Sequence, residues 1–268
     1  MATRTNVNDN TDLDAATGTA LASTDTLILD NWDTDFTVNT SKPLVNLQAI
    51  TVKSGFTGKF DSQPFNVQCN QTGSEVNLRT GGDVFRLRSN SGAGTLKKIL
   101  WNSVKASAIL DLAEAIVPDL TGLNGSVIMA DSVTPTNIRA LKNCHMYLRG
   151  AANAASTIET QGGALLETEK GFTSAVVGGR SKLRISGRAC AAGDVDLEGG
   201  TLELVDAASL GNVDGMSGVI DARGLKRDLA ATGGTLGPDV TILLKRGGAE
   251  FDYSACTLVY GGPEVLQQ

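Results

Sequence analysis

From Thr26 almost to its last residue the chain repeats one short pattern, in which three to six residues with apolar positions at every second place are followed by Gly, Ser, Asn or Asp. Examples are Leu27-Ile28-Leu29, Phe36-Thr37-Val38, Val84 to Arg88, Lys182-Leu183-Arg184-Ile185, Asp194 to Glu198, Thr201 to Leu204 and Thr257 to Tyr260. Alternation over a few residues marks a strand with one buried and one wet face. Further strands are predicted at Leu44 to Val52, Glu75 to Leu78, Leu96 to Trp101, Ser126 to Ala130, Met146 to Arg149, Ser156 to Glu159 and Ala164 to Glu167. So many short strands, with few helical stretches between them, predict an all-β chain. The expected architecture is a single-domain parallel β-helix, or β-solenoid, with a β-sandwich or jelly roll as the alternative.

From Ser174 to Tyr260 the strands are punctuated by the pairs Gly178-Gly179, Gly199-Gly200, Gly233-Gly234, Gly247-Gly248 and Gly261-Gly262. These start 14 to 34 residues apart, about one turn of a solenoid or a fraction of it. Glycine suits corners that need positive φ or close approach of stacked backbones. The predicted organisation is an N-terminal arm over residues 1–24, a β-helix-like domain over 25–262 and a short surface tail over 263–268. Ser103 to Leu120 fits two readings. Its Ala and Ile spacing suits an amphipathic helix ended at Pro118, whereas Ala108 to Leu112 also alternates as a strand.

Inward aliphatics such as Leu183, Ile185, Val195, Leu197, Leu202, Leu204, Val219, Ile242 and Leu244 would stack from rung to rung, each burial being worth roughly 1.5–3 kcal/mol. Such a core needs few aromatics, and aromatic residues make up only 4% of the chain. The formal net charge is −6, which argues against nucleic-acid binding through phosphate neutralisation. No stretch is long and apolar enough to predict a membrane span, and no apolar secretory segment follows Met1. The protein is therefore expected to be made in the cytoplasm, which weighs against a secreted lyase or a cellular adhesin.

Candidate chemistry is sparse. Cys69, Cys144, Cys190 and Cys256 lie far apart without a CxxC pair, so they read as reduced, buried cysteines rather than metal ligands. Asp194, Asp196 and Glu198 share one strand face, with Glu203 beyond. Paired carboxylates of this kind serve glycoside hydrolysis, but Val195 and Leu197 form the inward set, and a solvated face is the simpler reading. Arg180, Lys182, Arg184 and Arg188 form a basic counterpart that could meet such an acidic strip on a neighbouring rung or subunit. The single histidine, His145, follows Cys144, and neighbours in a strand point to opposite faces, which disfavours a dyad. Trp32 and Trp101 read as packing residues. No catalytic, cofactor or metal site is assigned, and a non-enzymatic protein is expected.

The block Asp25 to Asp30, followed by Leu44 to Val52 and Lys53-Ser54-Gly55-Phe56-Thr57-Gly58-Lys59, resembles tailed-bacteriophage virion proteins of the β-helical type. In those a "DTVxFD"-like strand precedes an "LxxLTVxxGYTGxIG"-like stretch and many Gly-punctuated strands. The likeness in motif covers about residues 25–60 and ends with Phe60-Asp61 in place of Ile-Gly. The resemblance implies a virion structural protein, such as a head-decoration or cement protein on the capsid surface. Its implied partner is the major capsid protein, and its implied assembly is a homotrimer. A tail-fibre or tailspike module, binding a receptor or degrading a polysaccharide, is the alternative.

Overall fold

The computed structural model describes residues 137–149 and 155–268 throughout, and strand segments before them. The chain divides into two compact units, residues 1–135 and 136–268. Among the described residues there is no helix, and the strand pairings are parallel, giving a β-solenoid. A sandwich or jelly roll, built from antiparallel hairpins and Greek keys, is thereby excluded.

In the first unit the strands are β1 (Thr3–Thr5), β2 (Thr26–Leu29), β3 (Phe36–Thr37), β4 (Ala49–Val52), β5 (Phe60–Asp61) and β6 (Glu75–Leu78). They continue with β7 (Val84–Arg88), β8 (Lys98–Asn102), β9 (Ile109–Ala113), β10 (Asp119–Leu123) and β11 (Val127–Asp131). One ladder runs β1-β2-β4-β6-β8-β10 and the other β3-β5-β7-β9-β11. Of the two readings of Ser103 to Leu120, the strand prevails at β9. Within the expected arm, Thr3–Thr5 pairs with Thr26–Ile28; the rest of residues 1–24, like Trp32 and Cys69, lies outside the described residues.

The second unit contains β12 (Asn137–Leu141), β13 (His145–Arg149), β14 (Ala155–Gln161), β15 (Leu165–Thr168), β16 (Phe172–Gly178) and β17 (Lys182–Ile185). Next come β18 (Ala191–Leu204), β19 (Ser209–Asp221), β20 (Leu229–Gly233) and β21 (Thr235–Leu244). The last are β22 (Phe251–Asp252), β23 (Thr257–Leu258) and β24 (Glu264–Gln267). The strands β18 and β19 are long because each passes a corner and serves both ladders. The second ladder alone has seven passes, about six turns, ending at β24. The expected tail thus carries a strand, and its residues are exposed.

Register converts alternation into a core. Ile138, Ile158, Ala175, Val195 and Val213 sit one above another, none more than 2% exposed. Facing them on the other ladder, Met146, Leu166, Leu183, Leu202, Ile220 and Ile242 form a second column at 0%. A threonine can enter such a column without cost to hydrogen bonding. The buried Thr168 donates to the Lys170 carbonyl at 2.9 Å and accepts from the Lys170 amide at 3.0 Å, as a buried hydroxyl requires.

The corners explain the glycines. At Gly234 the backbone adopts φ +116°, and a Cβ would collide with the Val213 carbonyl oxygen one turn earlier. A side chain there would strain the backbone and push two rungs apart. By contrast, Gly179 has open space around it, so not every predicted corner glycine is sterically required.

Candidate functional site

The outer face of the first ladder carries the acids singled out above. Val195 and Leu197 point inward at 1% and 2% exposure, leaving Asp194, Asp196 and Glu198 exposed. Asp194 Oδ1 accepts a 2.8 Å hydrogen bond from the Asn212 amide on the next turn. The same device recurs, with Asp214 accepting from the Thr235 amide and Asp228 from the Glu250 amide, both at 2.8 Å. A carboxylate at a corner thereby satisfies a backbone donor that the sheet leaves over.

Glu203 does not join this strip. Beyond the Gly199-Gly200 corner it lies on the second ladder, where it accepts from Lys182 Nζ at 2.9 Å and lies 3.6 Å from Arg184 Nε. Arg184 also lies 3.9 Å from Glu167, so Lys182 and Arg184 meet acids of their own ladder. Of the other two bases, Arg180 occupies an exposed corner at φ +59°. The Arg188 carbonyl accepts from Arg227, whose Nε stands 2.8 Å from Asp206. Sequence reasoning passed over that strap, because Arg188, Asp206 and Arg227 come together only once the turns are stacked. At the end of β19 Asp221 is held below the ordinary carboxylate range by its hydrogen bond with Arg223.

A hollow of about 310 Å³ opens on the first ladder between Arg139, Thr157, Glu159, Gln161, Ser174 and Glu198. Arg139 pairs with Glu159 at 3.2 Å across one turn, and Thr157 donates to Asn137 at 2.7 Å. Of the predicted acids only Glu198 borders this hollow. Glu159 was missed because its relation to Arg139, twenty residues earlier, depends on the turn length. Two carboxyl groups, one beside an arginine and one exposed, border this open hollow, whose lining also includes Ile138, Ile158 and Val176.

Cys144 is buried and His145 is exposed, on opposite sides of the strand start as alternation requires. The described cysteines Cys144, Cys190 and Cys256 are buried and form no disulfide. Burial pushes the Cys190 thiol up to about 12, and its Sγ donates to the Lys170 carbonyl at 3.0 Å. Cys256 is likewise raised, chiefly by burial and then by Asp214 and Asp252. Protonated thiols of this kind are poor nucleophiles and metal ligands. Among the described residues no group of three or more His, Cys, Asp or Glu could hold a metal ion, and no helix is long and apolar enough to cross a membrane.

The last turn has a different surface. Leu258, Tyr260, Val265 and Leu266 are exposed by 51%, 85%, 39% and 37%. No protein-family model, curated protein or solved structure matches this chain.

Proposed function

We propose that the chain is a non-enzymatic virion structural protein of a tailed bacteriophage, a decoration protein that binds the major capsid protein on the outer head surface and bridges capsomers. The β-helical resemblance over residues 25–60 motivates the reading, and the solenoid fold is compatible with it. The observation that carries it is how the outward charges are used. Asp194, Asp214, Glu159 and Glu203 each tie one turn to another, so the outer face is built as a stiff surface. A stiff surface repeated over a lattice adds many weak contacts through avidity. Cryo-electron microscopy of the particle carrying this protein tests the reading. Density in many copies over the head is expected, whereas density confined to the tail would refute it.

The hollow beside Glu159 and Glu198 favours a second reading, a tailspike-type module acting on a polysaccharide. Under that reading a capsular polysaccharide shortens on incubation with the chain and no longer does so with Glu198→Gln. An unchanged polymer length refutes it.

A further inference from the structure

Both inward columns of the second unit end uncovered. On the second ladder Leu202, Ile220 and Ile242 are 0% exposed, yet Val265, next in register, is 39% exposed. On the first, Leu236 is 0% exposed and Leu258, next in register, is 51%. Among the described residues β24 pairs on one side only, with β21, so its other edge presents free backbone donors and acceptors. Edges of this kind are usually guarded by charge, but Glu264 is the one acidic or basic side chain between Tyr253 and Gln268. The outward column agrees. It is charged at Glu167, Arg184, Glu203 and Asp221, then becomes Leu243 and Leu266.

We propose that this turn is an interface with a second copy of the chain, related by a two-fold axis through Val265, so that two β24 strands pair antiparallel. Directly opposed residues in an antiparallel pair share a face. With Val265 opposite its own copy, the second-ladder column continues into an apolar partner. Glu264 then stands opposite Leu266, and the two carboxylates are kept apart. Pairing shifted by one residue would set the buried face of one copy against the wet face of the other. Shifting until Glu264 faces itself would oppose like charges. The isologous contact through Val265 closes on itself instead of propagating. It gives a dimer in place of the homotrimer implied by the resemblance, and it does not depend on the capsid reading.

Light scattering on the full chain over a range of concentrations should give twice its 27.8 kDa mass. Val265→Lys should halve that mass while leaving the strand circular dichroism unchanged. As a second variant, Val265→Cys places two thiols across the axis at the roughly 4.5–5.5 Å Cα spacing of an antiparallel pair, within disulfide reach. It should form a covalent dimer on mild oxidation, and Thr241→Cys, on β21 in register with Glu264, should not. A single-chain mass at every concentration, a trimer indifferent to Val265→Lys, a mass that grows without limit, or a dimer that Val265→Cys fails to lock would each overturn the proposal.

Discussion

At the scale of single residues, Cys190 shows how a stacked core changes chemistry. Its thiol is buried and donates to a backbone carbonyl, and its pKa rises from an ordinary 9.0 to about 12. The unfolded chain therefore loses this proton first as pH rises, and the folded chain keeps it. Stability falls across the window from about pH 9 to about pH 12, by at most about 1.4 kcal/mol per pH unit from this group. Urea titrations at stepped pH should show a steeper alkaline loss for the parent chain than for Cys190→Ala. Equal slopes would mean that the thiol ionises in place.

Between neighbouring strands, the working unit is a side chain that reaches one turn along. Glu203 on β18 holds Lys182 and Arg184 on β17, with the two bases about two-fifths exposed. Pairs this wet are worth about 0.2–1 kcal/mol each and are screened by salt. Glu203→Gln should therefore lower the denaturation midpoint by the equivalent of about 1 kcal/mol in dilute buffer and by much less in 1 M salt, as urea titration would show. A salt-independent loss would point to packing instead. Alternation was enough to read Leu183, Ile185, Val195, Leu197, Leu202, Leu204 and Ile242 as inward, because a wrong phase would place charges in the core, but it failed at Val219, where the neighbouring Ile220 takes the buried position below Leu202. It was not enough to tell that Glu203 and Asp194 belong to different ladders, since a corner inside β18 leaves no mark beyond Gly199-Gly200. The roles of Asp194 and Glu159 stayed hidden for a related reason: each partner lies 18 to 20 residues away, and the turn length varies. Ser103 to Leu120 was undecidable because Ala and Ile spaced three and four apart satisfy both periods when no partner strand is known.

For the second unit as a whole, stability is a sum over turns that touch only their neighbours. Openings should then start where a turn has one neighbour and be rarest where it has two. In Val265→Lys, where β24 remains an edge, hydrogen exchange should release β23 and β24 first and the β16 to β18 amides last. Uniform protection along the unit would show that it unfolds as one block.

The constant spacing of the ladders has a further consequence. Neighbouring strands in a sheet lie about 4.8 Å apart, so six steps from β13 to β24 set a height of about 29 Å. That height depends on how many turns there are and hardly at all on how many residues each turn contains. Asn137 to Thr157 takes twenty residues and Thr157 to Ser174 only seventeen, yet both advance by one step. The unit behaves as a ruler graduated in whole turns, on which corners lengthen or shorten freely while the distance between its ends changes only by a full division.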